Sequence, residues 1–548
     1  MPQPVAAASA AGDGPGAPGP GGPARGWRTR AGRPWLVLFV LPLLAHCASA
    51  PRLDGVEQSH ALPPAASTIL DQMVLNRTGG EPGISAVQLV QQNALAFAFR
   101  AGTAAAAERS LDLQYYAWHQ DLTGRLLASE LLRAAERGVR VRVLLDDMDA
   151  RARHDVFLIA DLHPNIEVRI FNPFYSRYGQ LGKLAEFFVR GTRLNHRMHN
   201  KAWIADNRVA IVGGRNVGDE YFGASDQSNF SDTDLVLAGP VVEQVSREFD
   251  EYWNSPDAIP VSAFEGRKPT DADLQQLLQE SREFRQEAQE SPYIVALRDP
   301  AKRNELIAGA PRPLEVRDVR VLADDPSKVG TKEDGLRASQ VLDGLSGVMR
   351  GTERELLIIS PYLVPGKQGA QGLAAAAQRG IKVRALTNSL AATDVVAVHV
   401  GYARYRRELL KAGVELYEMK SSAGDAGGGK HVSVLGSKGA SLHTKAMVVD
   451  ARWSFVGSMN LDPRSANLNT EMGVLVDSPE LAEQLRAQFE YNTSPDRSYH
   501  VVMDPRRGLV WYDRVNGEER ELEQEPDASV SRRIGATLLR ALPMESQL

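Results

Sequence analysis

A chain of 548 residues exceeds one ordinary domain, so two lobes with sizeable cores are the starting expectation. Its 43% apolar and 24% charged content is that of a soluble globular protein, and a net charge of −5 offers no general attraction to nucleic acid. A lone cysteine, Cys47, excludes a disulfide framework and any multi-cysteine zinc or iron–sulfur site.

Residues 1–24 are almost entirely Ala, Gly and Pro and cannot bury a core. Arg25, Arg28, Arg30 and Arg33 then precede an apolar run, Trp35–Ala45, followed by His46-Cys47-Ala48-Ser49-Ala50. This basic, apolar, small-residue order predicts an export signal over residues 1–50, too short in its apolar part to span a bilayer. Ala48-Ser49-Ala50 has the form of a cleavage site, whereas Leu44-Ala45-His46-Cys47 has that of a lipobox anchoring the chain through Cys47. A short uncleaved anchor is the third version, and each sends the chain to a bacterial cell envelope, membrane-associated on the periplasmic side. Residues 51–85 read as a linker.

Two lobes are expected next, over residues 86–262 and 313–500, with a charged helical connector at 263–312 and a hairpin and tail at 501–548 turning at Asn516-Gly517. Within the first lobe, Asp146, Asp147 and Asp149 form an acidic run that reads as a solvated strand exit rather than a metal site. Phe171–Arg193 interleaves aromatics with Arg177, Lys183, Arg190 and Arg193, which suits a surface dipping into headgroups, a wall for acyl chains, or a helix packing its aromatics inward. The glycine-rich stretch Ser421–Lys430 reads as a surface loop.

The two lobes repeat one another. LLRAAERGVRVRVLLDD (Leu131–Asp147) matches LAAAAQRGIKVRALTNS (Leu373–Ser389), each a helix end, a capping glycine (Gly138, Gly380) and an apolar strand. RSLDLQYY from Arg109 matches RELLIISP from Arg354, and Ile166-Glu167-Val168 matches Val414-Glu415-Leu416. Strands alternating with helices predict an α/β fold, a duplicated pair of mixed sheets flanked by helices.

The polar signal lies inside the repeat. His199-x-Lys201-x4-Asp206 and His443-x-Lys445-x4-Asp450 are each followed by a small-residue turn and an asparagine, Asn216 and Asn460, and all four pairs keep an offset of 244. Satisfied core histidines on two related strands explain neither the lysines nor the asparagines. A buried lysine is expensive without an anion, so an anion is expected between the lobes. A phosphodiester can be exchanged there without a metal. One neutral histidine attacks phosphorus, the other protonates the leaving alcohol and later deprotonates the acceptor, while Lys201, Lys445, Asn216 and Asn460 hold the oxygens. Two identical side chains must then take opposite protonation states, and carboxylates set them; the candidates are Glu471 and Asp232, with Asp234 as the fallback for Asp232.

These paired motifs resemble the phospholipase D superfamily, whose two-lobed members place both histidines in one site at a pseudo-twofold interface. Further strings, HPNIEVRIFNPF, SPYLVPG, TNSLAATDVVAVHVGYARYRRELLKAGVELYE and GSMNLDPRSANLNTE, are similar to bacterial cardiolipin synthases of the C type, and cover nearly everything after about residue 85. The resemblance implies two phospholipase D-like lobes, a phosphohistidine intermediate with His199 as nucleophile, no cofactor or metal, and a mainly supporting role for Asp206 and Asp450. It implies phosphatidylglycerol as one substrate, with phosphatidylethanolamine or cardiolipin as partner lipids, presented at a membrane surface. The same site serves hydrolysis, as a phospholipase D or nuclease, if water is the acceptor; export and the lack of a basic tail speak against a nuclease. A catalytically dead binding protein is the third class, opposed by two intact motifs.

Overall fold

The computed structural model describes residues 55–540 except 66, 151–152, 176, 178–185, 187–189, 192, 265, 330–338, 425–438 and 516. The leader with Cys47, most of the glycine-rich stretch Ser421–Lys430 and part of Phe171–Arg193 lie outside the described residues.

The first half contributes strands β1 (Ser85–Val90), β2 (Ser110–Tyr115), β3 (Arg140–Asp146), β4 (Ile166–Phe171), β5 (Ala202–Ala205), β6 (Val209–Gly213), β7 (Asn229–Ser231), β8 (Asp234–Ala238) and β9 (Ala258–Pro260). The second contributes β10 (Leu314–Val316), β11 (Val319–Ala323), β12 (Glu355–Ile359), β13 (Lys382–Asn388), β14 (Glu415–Met419), β15 (Ala440–Leu442), β16 (Ala446–Val449), β17 (Trp453–Gly457) and β18 (Met472–Asp477). Last come β19 (Ser498–Asp504), β20 (Gly508–Val515) and β21 (Glu518–Leu522).

Among the described residues these strands form two large sheets, ordered β10-β1-β8-β6-β5-β2-β3-β4-β9 and β11-β18-β17-β16-β12-β13-β14-β19-β20-β21. From β1 to β9 and from β11 to β19 the order is the same, so the duplication read in the sequence is a duplication of topology. In each sheet the central trio, β2-β3-β4 or β12-β13-β14, is parallel and the rest antiparallel. The matched strings become the helix Leu122–Glu136 running through Gly138 into β3, and Gly366–Gln378 running through Gly380 into β13. Both glycines hold φ near +90°, a left-handed turn that an L side chain resists.

Helices cover the outer face of each sheet, giving each lobe its own outer core. The inner faces share a single core in which Val212, Leu235 and Phe249 of the first lobe pack with Val448, Val474 and Phe489 of the second. The lobes are therefore one hydrophobic unit.

Two segments sit elsewhere than the sequence division suggests. Strand β10, read as the start of the second lobe, pairs antiparallel with β1 and finishes the first sheet. The C-terminal hairpin is continuous with the second sheet, because β19 pairs with β14 and carries β20 and β21 outward. The helices Asp271–Ala288 and Pro292–Arg298 of the connector bury Leu274, Leu278 and Tyr293 in the first lobe's outer core.

Candidate active site

The histidines stand just before β5 and β16, and each is delivered by backbone pairing between lobes. Strand β7 pairs in parallel with β15, with Ser231 opposite Leu442. The residues that follow, Asp232 and His443, are carried into contact. His443 N donates to Ser231 O at 2.8 Å, and its Nδ1 lies 2.6 Å from Asp232 Oδ2. A parallel bridge between Met198 and Thr470 does the same on the other side. There His199 N donates to Thr470 O at 2.9 Å, and Nδ1 lies 2.9 Å from Glu471 Oε2. Each lobe's histidine is thus held by the other lobe's carboxylate. An ionised carboxylate only accepts, so Nδ1 carries the proton and Nε2 is left free in both rings.

The carboxylates are supported differently. Ser458 Oγ donates to Glu471. At the matching position stands Gly214, where an added Cβ would come within 2.5 Å of Asp232 Oδ1. Asp234, the fallback for Asp232, has other work: it accepts from Arg100 Nη1 at 2.9 Å and pairs with Arg215 Nη1 at 3.2 Å.

Lys201 Nζ donates to His199 O at 2.6 Å and Lys445 Nζ to His443 O at 2.5 Å, so each lysine folds back toward its own histidine. Burial pulls the Lys201 ammonium down to about 7 although Glu471 draws it up; Lys445 is lowered by the same desolvation. His199 is pushed down to about 4 by burial, against the pull of Glu471. His443 is lowered by burial and by the neighbouring Lys445 charge, against Asp232. For Asp232 and Glu471 burial acts upward, but the facing histidines and lysines outweigh it and hold both carboxyls below their ordinary range. Burial thus outweighs the two carboxylates and disfavours both ammonium groups, and an anion entering between the lobes would restore their charge.

Asn216 and Asn460 are buried beside it. The amide oxygens of both have no hydrogen-bond partner among the described residues, while Asn216 Nδ2 donates to Tyr221 OH at 2.9 Å. Neither amide oxygen is committed, so turning the group over costs no bond there, and the Tyr221 hydroxyl serves either orientation of Asn216.

Asp206 and Asp450 lie apart from this cluster, at the far ends of β5 and β16. In each turn the aspartate and the next residue have φ between 51° and 56°. Asp206 accepts from the backbone N–H groups of Glu108, Arg109 and Ser110, and Asp450 from those of Glu353, Arg354 and Glu355. Both therefore clamp the start of the adjoining strand, β2 or β12. Asp206→Ala is expected to lower stability by about 1–3 kcal/mol, through three backbone donors losing their acceptor, that of Ser110 buried, while sparing the chemistry in the molecules that fold. Urea unfolding read beside turnover per folded protein checks this.

Several residues of the site were not read from the sequence. Asp146, taken as part of a solvated run, is buried and accepts from Met198 N at 3.0 Å, holding the residue before His199. Asp147, also buried, pairs with Arg177 Nη1 at 2.6 Å. The run is inward because arginines and backbone amides of the following loop need these acceptors. In the second lobe Asn388 accepts from Leu442 N at 2.8 Å, the same service for His443. Asp146 and Asn388 align in the repeat, which was the available signal. Tyr116 packs edge-on against His199 and Tyr221 edge-on against His443, whose ring Phe230 meets at a tilt of 44°. In the Phe171–Arg193 segment the described arginines are engaged internally, Arg177 by Asp147, Arg190 by Glu186 and Arg193 by Asp257. Among the described residues, His119, Asp121 and Glu220 bring three ligand atoms within 4.8 Å of one another. Asp121 caps the helix Leu122–Glu136 and accepts from Asp219 N, and Glu220 pairs with His119, so these groups already serve one another and the backbone.

A family model described as "Cardiolipin synthase, PLD-like domain" matches residues 103–253 and 345–492, one stretch in each lobe. Cardiolipin synthase C of Escherichia coli is 38% identical over 477 residues, covering 87% of this chain and 99% of its own. Cardiolipin synthase B of the same organism is 24% identical over 388 residues, covering 69% of this chain and 73% of its own. Among solved structures, a phosphatidylserine synthase from Haemophilus influenzae shares the fold, with a TM-score of 0.53 at 12% identity over 87% of this chain and 99% of that one. With both motif copies inside matched stretches and similarity running nearly the whole length of a relative, the chain belongs to the cardiolipin synthase family of phospholipase D-like proteins.

Proposed function

We infer that this protein is a phosphatidyltransferase that makes cardiolipin, moving a phosphatidyl group from one phospholipid to phosphatidylglycerol through a phosphohistidine intermediate. The observation that carries it is the crossed pairing of His199 with Glu471 and His443 with Asp232 around two buried, under-compensated lysines. His199 attacks phosphorus through Nε2, forming the P–N bond as the P–O bond to the departing headgroup breaks. His443 gives that oxygen its proton. The acceptor alcohol then loses its proton to His443 and attacks phosphorus, breaking the P–N bond. Lys201 and Lys445 neutralise the phosphoryl oxygens, and Asn216 and Asn460 donate to them. Entry of the anionic diester raises both lysines and His443 toward their charged forms, which supplies the acid when it is needed. Asp206 and Asp450 serve by holding the strands that present this group.

The lipids proposed are phosphatidylglycerol together with phosphatidylethanolamine or a second phosphatidylglycerol, with reversal allowing cardiolipin as donor. The finer location, the periplasmic side of the envelope with Cys47 as an anchor, rests on the leader sequence alone. No helix among the described residues is long and apolar enough to cross a membrane. The deciding experiment incubates purified protein with phosphatidylglycerol, alone and with phosphatidylethanolamine or free alcohols, and identifies products by mass spectrometry. Cardiolipin supports the proposal, phosphatidic acid alone replaces transferase with phospholipase D hydrolysis, and no lipid turnover overturns both.

The pH profile follows from the same charges. His199 attacks only when neutral, so kcat/KM should fall on the acid side near its depressed value of about 4. The acid His443, lowered by burial, and the phosphate-binding Lys201, lowered to about 7, both need their protons, so kcat/KM should also fall as pH rises, first as His443 and then as Lys201 loses its proton. Lys201→Arg keeps its cation and should remove the second of these steps, leaving a shallower alkaline limb set by His443 alone.

A further inference from the structure

The helix Val530–Leu539 exposes Val530 at 71%, Ile534 at 56% and Leu538 at 68%. Four-residue spacing sets these three side chains in one line about 12 Å long. The opposite side is accounted for, since Ala536 and Leu539 pack with Leu390, Val396, Val400 and Ala528. The apolar line is therefore a second, outward face.

Its position matters more than its exposure. Arg532 fastens the helix to the loop after β13, donating to the carbonyls of Leu390, Ala391 and Thr393 at 3.2, 2.5 and 2.7 Å. That loop springs from Asn388, which holds Leu442 beside His443, and its next residue, Asp394, accepts from Tyr362 OH at 2.7 Å and acts electrostatically on His443 and Lys445. The helix is thus bolted to the rim of the active site. Val395 on the same rim is exposed, as is Met148, two residues past the Asp146 that holds Met198. Cations flank the line: Arg540 follows the helix, and Arg404, whose Nη2 reaches the Arg540 carbonyl, is exposed beside it.

We propose that the helix Val530–Leu539 lies in the surface of a phospholipid bilayer, its line of Val530, Ile534 and Leu538 at the boundary between headgroups and acyl chains and its arginines at anionic phosphates, so that the site faces the lipids it uses. This deepens the phosphatidyltransferase reading and rests on it for the substrate class. A bilayer suits the face because an apolar line edged by arginines is what an interfacial helix presents to anionic lipid.

The test uses the full chain and vesicles of phosphatidylglycerol and phosphatidylethanolamine. Amide hydrogen exchange in 530–539 is expected to slow at least about tenfold on vesicles, with no such change in Ile69–Thr78, whose exposed Ile69 and Met73 lie on another helix. The double variant Ile534→Asp, Leu538→Asp should turn over vesicle lipid about tenfold more slowly, yet handle monomeric dihexanoyl phosphatidylglycerol within about twofold of the unaltered protein. Unchanged exchange on vesicles, or an equal loss of vesicle turnover from Ile69→Asp, Met73→Asp, overturns the proposal. So does protection that appears without vesicles as protein concentration rises, which marks a contact between copies. Protection on vesicles with no turnover of any lipid upholds the docking face and removes the catalytic reading instead.

Discussion

Replacing His199 with alanine is expected to cut phosphatidyl transfer by at least about a thousandfold without unfolding the protein, because it removes the proposed nucleophile. His443→Ala should be as damaging with a natural lipid, whose alkoxide leaving group needs a proton. The two variants separate with a phosphatidyl ester of 4-nitrophenol, which leaves without help. His443→Ala should then release about one equivalent of nitrophenol per chain and stall, carrying an acid-labile, alkali-stable phosphoramidate, whereas His199→Ala should give no burst. A burst from His199→Ala alone would exchange the two roles. Full activity in either variant would end the two-histidine mechanism. The assignment of attack to His199 follows the family resemblance; burial drives its ring down to about 4, which keeps it neutral at ordinary pH as an attacking imidazole must be.

The largest effect on stability is expected from Asp234→Ala. Asp234 is fully buried at the start of β8 and is the shared partner of Arg100 and Arg215, themselves buried. Arg215 also donates to the carbonyls of Val90 and Gln91 and to Asn93 Oδ1, and so ties the turn that carries Asn216 to the end of β1. Removing the carboxylate leaves two guanidinium groups in the interior without their counter-charge, a loss of about 3–5 kcal/mol. The urea midpoint should fall accordingly, and because Arg215 adjoins Asn216 and bonds the Asp232 carbonyl, activity should fall in the molecules that remain folded. A midpoint within error of the unaltered protein would show that the arginines do not need this acceptor.

Much of the architecture was legible because duplication writes it twice. A helix end, a left-handed glycine and an apolar strand recur in both halves, and local chemistry is enough to impose each of them. The four pairs at one offset, from His199 and His443 to Asn216 and Asn460, marked the site for the same reason. Asp206 and Asp450 kept that offset too, yet their carboxylates face backbone amides at the other end of the strand, a distinction that spacing cannot carry. Asp146 misled because an acidic run is read by composition, whereas its burial follows from Arg197 and Met198 arriving from a later segment.

The amino-acid order by itself determined two copies of one α/β unit and the residue types able to move a phosphoryl group, since propensity, capping and strand period act over a few neighbours. Only the tertiary structure decided which carboxylate serves which histidine. That pairing is made across the lobes, by β7 on β15 and by Met198 on Thr470. It also decided that burial holds both lysines below their ordinary range and that one helix turns an apolar edge outward beside the site. These depend on desolvation and on partners more than two hundred residues away, and burial is a property of the folded whole.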